Sequence, residues 1–287
     1  MAGSASVKAV AMELGLTVIG PLTGGEHGAW AVVDPDGEPF VLKIFPLAEL
    51  DRLTLAVETA TRLRDRGVPV PDPYSAGTSG ASSYTLQRRC DGEVPTILRD
   101  THARQLLDLW RNHIDAVPEG SDWPDALIRA LTFGDLALWA DHEPVRAAGG
   151  EAAALLDEIF DVGRTGDASL LRGTDGIHGD WHHQNLLVID DHVSTIFDWE
   201  SARPGDARFD LVYLSFWADV FDGSEVEPAA AERIRKAARE VVDPPTRRLL
   251  AALVALHQLW FTTAHRPARL PEAIERVQQH LAPLWRG

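Results

Sequence analysis

Residues 178–200, HGDWHHQNLLVIDDHVSTIFDWE, constrain this chain more than any other stretch. A polar loop holds His178, Gly179 and Asp180, and Asn185 stands just before the apolar run Leu186–Ile189. STIF then leads into Asp198. Asp190–Asp191 between the two apolar runs reads as a tight turn joining antiparallel strands. In that arrangement Asn185, at the start of one strand, and Asp198, at the end of the other, lie side by side. Two hard oxygen donors at one end of a hairpin suit Mg²⁺, which takes few protein ligands and completes its shell with phosphate and water. Asp180 is a carboxylate placed to orient an acceptor hydroxyl and take its proton. His178, His182 and His183 crowd the loop without a fourth ligand on a regular element, which is poor zinc spacing. They read as loop supports, His178 above all, with His182 or His183 near acceptor or phosphate.

The rest of the chain changes character near residue 90. TVIGPL, AWAVV and FVLKIF, separated by TGGEHG and DPDGEP, read as three strands. Residues 47–66 switch to a helical stripe of Leu53, Ala56 or Val57, Ala60 and Leu63, stopped by Gly67 and Pro69. PVPDPYSAGTSG reads as a connector and YTLQRR, 84–89, as another strand. Helices then dominate, near 99–113, 125–139 and 151–161 before the loop, and near 207–220, 230–241, 246–263 and 269–284 after it. The expectation is an α+β chain: a small β-rich lobe over 1–90 and a larger, mainly helical lobe over 91–287. The join at Arg88–Glu93 reads as a hinge, and clefts at such joins favour ligands.

Composition removes several classes. No apolar run approaches twenty residues, so no membrane-spanning helix is expected. The N-terminal stretch lacks a secretory pattern, and the lone Cys90 excludes an intrachain disulfide and a cysteine-rich zinc site. A cytoplasmic protein is the expectation. The net charge of −16 offers no basic face for nucleic acid. Residues 1–90 carry ten acidic side chains against eight basic ones, whereas 91–287 carry thirty-three against nineteen. An acceptor drawn to that second part is expected to be cationic.

HGDWHHQNLLV followed by IFDWE resembles the HGD-x-H-x-x-N … (I/V)-D-(W/F)-E pattern of aminoglycoside phosphotransferases and their choline-kinase-like relatives. The resemblance implies a two-lobed, protein-kinase-like fold over about residues 15–285. It implies that Asp180 is the catalytic aspartate, that Asn185 and Asp198 bind metal, and that His178 is a structural histidine. GDARFDL resembles the family's G-D-x-x-x-D-L segment, in which Asp206 and Asp210 support the fold; Asp206 is expected to lock the catalytic loop.

Kinase logic adds a donor side. Lys43 is one of only three lysines and sits on the third strand, where it resembles the lysine that contacts the α- and β-phosphates. Among apolar neighbours it needs an anionic partner, and Glu58, on the following helix, is the expected one. Gly24, Gly25 and Gly28 occupy the place of a nucleotide loop, although no G-x-G-x-x-G string is present. Backbone groups near Gln87, Arg88, Arg89 and Cys90 are expected to meet the base of ATP or GTP.

The expected activity is transfer of a γ-phosphate to a hydroxyl of a small molecule, a cationic antibiotic such as an aminoglycoside or basic peptide. The acidic residues Glu119, Asp122, Asp125, Asp135, Asp141, Glu143, Asp219, Asp222, Glu225 and Glu227 supply the attracting field. The alternatives are a metabolic kinase for a sugar, homoserine or choline-like alcohol, a nucleoside-antibiotic kinase, or a nucleotide-binding scaffold without turnover.

Overall fold

The computed structural model describes residues 4–22 and 28–286. Along the chain run α1 (Ser4–Glu13), β1 (Thr17–Pro21), β2 (Trp30–Val33), β3 (Pro39–Pro46), α2 (Leu50–Asp65), β4 (Tyr74–Ser79) and β5 (Ser82–Arg88). Then come α3 (Asp100–Trp110), α4 (Trp123–Phe133), α5 (His142–Ala148), α6 (Gly150–Arg164), β6 (Asp175–Ile177), β7 (Leu186–Ile189) and β8 (His192–Ile196). α7 (Arg208–Val220), α8 (Pro228–Val241), α9 (Pro244–His265) and α10 (Leu270–Arg276) follow.

The chain divides into two compact units, Met1–Pro95 with Gln184–Arg203, and Thr96–His183 with Pro204–Gly287. The first division falls near the boundary expected at residue 90. The hairpin of 184–203, however, groups with the N-terminal unit rather than with 91–287. Backbone pairing explains this. Glu93 and Val188 exchange N–H···O bonds of 3.1 and 2.9 Å, and the Ile196 N–H reaches the Pro69 carbonyl at 2.8 Å.

The first unit is built on a five-stranded antiparallel sheet in the order β1-β2-β3-β5-β4. Strand alternation decides which side chains leave the core. Leu42 and Ile44 of β3 pack with Val32 and with Val7, Val10 and Ala11 of α1. Val41 and Lys43 therefore point to the opposite face, where their register partners on β5 are Gln87 and Thr85. α2 buries Leu53, Ala56, Thr59, Ala60 and Leu63, the stripe its apolar spacing demands. Two elements depart from expectation. α1 has no long apolar stripe of its own and earns its place by tertiary packing. β4 lies in the presumed connector, because a Ser/Gly-rich strand shows no apolar alternation. Its Gly77 sits so close to Tyr84 that an added Cβ would lie 2.6 Å from the phenol oxygen.

The β7–β8 hairpin has the anticipated two-residue turn. Ile189 pairs with His192, and Asp190 and Asp191 adopt φ of 48° and 62°, the left-handed pair such turns need. In the second unit α9 is buried on nearly every side by its Leu and Ala residues, so it acts as the unit's central helix. The helix expected over 125–139 stops at Phe133, because Gly134 takes φ 79° and Trp139 turns left-handed at φ 55°. The one expected over 269–284 is interrupted by a wider-wound turn at Val277–Leu281.

Candidate active site

The first unit gathers charge around Lys43. Its ammonium lies 2.6 Å from Asp198 Oδ1 and 3.0 Å from Glu200 Oε2. Burial alone would push the Lys43 ammonium down, but Glu200 and Asp198 together hold it above the ordinary lysine value. Glu200 is 5% exposed, and Thr85 donates its hydroxyl to Oε1 at 3.0 Å. Burial and the neighbouring Asp198 raise the Glu200 carboxyl above its usual range, against the pull of Lys43. Arg52 of α2 donates to the Glu200 carbonyl and, through Nε at 3.0 Å, to Glu49. The turn after β8 produces this convergence. Asp198 is left-handed, with φ 68°, which a short polar side chain tolerates better than most. The chain then coils through Trp199–Ser201, burying Trp199 with its indole N–H on the Ile196 carbonyl at 2.6 Å and turning Glu200 inward.

Glu58 is not the partner of Lys43. It lies on the exposed side of α2, off the face of Ala56, Thr59 and Ala60, so the helical period carries it away from the packed surface. The same helix supplies Arg52 instead. Glu200, which sits two residues beyond Asp198, takes the place the sequence argument gave to Glu58. Its signal was the DWE triplet itself, read only as far as its aspartate.

Asn185 is buried at the base of the hairpin, where its carbonyl accepts the Phe197 N–H at 3.0 Å. That bond, with Leu186 paired to Ile196, brings Asn185 and Asp198 to the same end of β7 and β8. An amide oxygen and a carboxylate are a hard, sparse donor set of the kind Mg²⁺ accepts.

The nucleotide-loop glycines are only partly described: Gly24 and Gly25 lie outside the described residues. Gly28 has φ 69°, a conformation that suits glycine. Near the expected hinge, Arg88 and Arg89 spend their N–H groups on the Pro73 and Pro39 carbonyls, at 2.9 and 3.0 Å. Gln87 is buried in β5 between β3 and β4. The backbone past this paired edge begins at Cys90, whose thiol faces the Arg88 carbonyl at 3.7 Å.

The second unit holds the other half of the motif, HGDWHH. Asp180 Oδ1 accepts the Tyr213 hydroxyl at 2.8 Å and lies 3.3 Å from His182 Nε2. Its backbone N–H donates to His178 Nδ1 at 3.1 Å, and His178 is fully buried. Desolvation pushes the Asp180 carboxyl up, but His182, His178 and the Tyr213 hydroxyl outweigh it and hold it well below the usual carboxylate range. His183 Nε2 lies 3.3 Å from Glu225, and burial lowers its imidazole.

The residue that ties down this loop is Asp210, not Asp206. Asp210 accepts the backbone N–H of His178 at 2.8 Å and of Gly179 at 2.9 Å, with His113 Nδ1 3.3 Å away. Asp206 is buried too, but it holds the Arg172 N–H at 2.9 Å and the Arg208 guanidinium at 2.6 Å. Four residues separate the two acids, and that is enough to move the carboxylate from one end of β6 to the other. Tyr213 was missed by sequence reasoning, since an aromatic on a helix reads as core. Its position three residues after Asp210, on the same helix face, was the available clue.

Several acidic residues of this unit are already engaged. Asp219 and Asp222 pair with Arg235, Asp122 with Arg129 and Glu225 with His183, while Glu227 accepts the Asp100 N–H. Asp135 and Asp141 cap the starts of helical turns.

Residues 18–250 match the model of the phosphotransferase enzyme family, and the chain belongs to that family. Comparison with curated proteins found no match. Among solved structures, a thermostable mutant of aminoglycoside phosphotransferase APH(4)-Ia, in ternary complex with ADP and hygromycin B, is 17% identical over 97% of each chain, with a TM-score of 0.66. The amicoumacin kinase hAmiN, in complex with AMP-PNP, Ca²⁺ and Ami, is 13% identical over 99% of this chain and 96% of its own, with a TM-score of 0.60. Macrolide 2′-phosphotransferase MphH from Brachybacterium faecium is 18% identical over 97% and 98%, with a TM-score of 0.58. At these identities the likeness shows the shared fold, a β-sheet N-terminal lobe and a larger helical C-terminal lobe. Among the described residues, no helix is long and apolar enough to cross a membrane.

Proposed function

We propose that this chain transfers the γ-phosphate of ATP or GTP, with Mg²⁺, to a hydroxyl of a small antibiotic-like molecule. The observation that carries the reading is the meeting of Lys43 with Asp198 at 2.6 Å across 155 residues of sequence, beside a hairpin that also presents Asn185. A lone surface lysine has no need of one buried and one half-buried carboxylate, whereas a phosphate-binding lysine needs its ammonium held charged and aimed. Lys43 would bind the α- and β-phosphates, and Asn185 and Asp198 would hold Mg²⁺. Bound with the nucleotide, the cation supplies neutralisation of phosphate charge.

Asp180 orients the acceptor hydroxyl and takes its proton as the new O–P bond forms and the bond to the leaving nucleoside diphosphate breaks. Its depressed pKa keeps it ionised and makes it a weak base. Positioning and electrostatics therefore contribute more to the rate than proton removal. The glycines Gly24, Gly25 and Gly28 and the backbone near Cys90 would meet phosphate and base. The relatives named above are an aminoglycoside phosphotransferase bound to hygromycin B, an amicoumacin kinase and a macrolide 2′-phosphotransferase, which supports an antibiotic-like acceptor here. The acidic surplus of residues 91–287 favours a cationic one, through a long-range field more than through a single ion pair, because many of its carboxylates are engaged.

The test is nucleotide consumption with Mg²⁺ and either ATP or GTP over aminoglycosides, basic peptide antibiotics, macrolides, nucleoside antibiotics, sugars, homoserine and choline. Phosphorylation of one antibiotic class, lost in Asp180→Asn and Asp198→Ala, is the expected result. No turnover on any acceptor, despite nucleotide-dependent stabilisation, would favour a scaffold instead.

A further inference from the structure

One stripe of α7 faces the Asp180 loop. Asp210, Tyr213 and Trp217 follow one another at three and four residues, the spacing that stacks side chains on one helix face. The first two meet the Asp180 loop through polar contacts. Asp210 takes the backbone N–H groups of His178 and Gly179, and the Tyr213 hydroxyl donates to Asp180 Oδ1 at 2.8 Å. The Trp217 ring packs edge-on against the Tyr213 ring, with centroids 6.2 Å apart.

We propose that Tyr213 is the positioning residue of this site, its hydroxyl fixing the Asp180 carboxylate for the acceptor with Trp217 steadying the phenol. The inference rests on the reading of Asp180 given above. A carboxylate on a loop rotates about two side-chain bonds, and a charge-assisted hydrogen bond from a packed helix removes that freedom. Tyr213 is 7% exposed and wedged between the rings of Phe209 and Trp217, at 5.9 and 6.2 Å, so its ring is itself immobilised. A phenylalanine would fill the same space, so the hydroxyl is the informative group. Burial and the Asp180 charge raise the Tyr213 phenol well above its usual value, which keeps it protonated and donating. His182 and His178 also face Asp180, from its own loop, and Asp210 lies nearby on α7. Tyr213 reaches the carboxylate from α7, a rigid element separate from the loop.

The test compares Tyr213→Phe, Trp217→Phe and Asp180→Asn in the full chain. Rates are measured with Mg-ATP, using the panel acceptor turned over fastest and, separately, water as acceptor. Tyr213→Phe should lower kcat about 10- to 100-fold and leave both KM values within about twofold, with Tm lowered by no more than a few degrees, about what one lost hydrogen bond costs. Trp217→Phe, which shrinks the ring packed on Tyr213, should do the same more weakly. The Tyr213 hydroxyl proton should give a slowly exchanging, downfield NMR signal that vanishes in Tyr213→Phe and moves upfield in Asp180→Asn. Wild-type kcat in Tyr213→Phe, with Asp180→Asn inactive, overturns the role of Tyr213 alone. Full activity in Asp180→Asn overturns the reading beneath it. Should Tyr213→Phe fold poorly, the proton signal decides, and a signal unmoved by Asp180→Asn overturns the proposal.

Discussion

The two units hold their carboxylates in opposite ways. Around Lys43, two acids share one cation, full charge against full charge. Around Asp180 and Asp210, the donors are peptide N–H groups, a phenol and imidazoles. The difference lies in how each cluster can respond to a competing charge. An ammonium between two carboxylates re-partners when phosphate or a divalent cation competes for either side, because Coulomb attraction has little directional demand. Peptide N–H groups are fixed by the backbone and keep their acceptor where it is. On the proposed function, the first cluster would exchange partners with a ligand, while the second would hold still.

The largest expected break in this comparison is Asp180→Asn. Losing the base and its charge should cost about 10³-fold in kcat, checked by steady-state phosphorylation, with the melting temperature held. Lys43→Met comes next. It leaves Asp198 and Glu200 facing each other without a cation and should destabilise by about 3 kcal/mol at neutral pH, read from chemical denaturation. The pH dependence has a definite sign. The Glu200 carboxyl is raised in the fold, so its contribution is full below the ordinary glutamate value and is lost as pH rises through the folded value. Removing Lys43 raises it further. The stability gap to the parent should therefore be widest at pH 8 and narrow towards pH 5, and a constant gap would remove Glu200 from the account.

A pair of substitutions then sharpens which acid serves the lysine. Glu200→Gln should lower kcat roughly tenfold or more, as expected for a lost charge-assisted bond, while Glu58→Gln should stay within about twofold. The reverse order would restore Glu58. The smallest effect concerns the hairpin. Asp191→Gly relieves a left-handed aspartate and should stabilise by up to about 1 kcal/mol, seen as a small rise in melting temperature.

Much of this was legible beforehand where the signal is local. The Asp190–Asp191 turn, the strand carrying Lys43 and the apolar stripe of α2 follow from short-range periodicity. β4 was not legible, because a strand of Ser, Ala and Gly is specified by the neighbours it pairs with. Glu58 and Glu200 illustrate the same limit. Both are glutamates within reach of a plausible partner in sequence terms, and only the helical phase of α2 and the left-handed turn at Asp198 decide which one turns inward. Asp206 and Asp210 were a matched pair in the motif, and the first turn of α7 decided between them.

By itself, the segment HGDWHHQNLLVIDDHVSTIFDWE determined the kind of residue available: one loop aspartate, two hard oxygen donors and the hairpin that aligns the donors. Those are properties of spacing along a chain whose local geometry is nearly obligatory. The tertiary structure decided the partners. It put Lys43 on Asp198 and Glu200, put Asp210 and Tyr213 behind the Asp180 loop, and divided the motif itself between two compact units. Partnership between residues 31 to 157 positions apart depends on how helices and strands pack, and no periodicity within a single element encodes it.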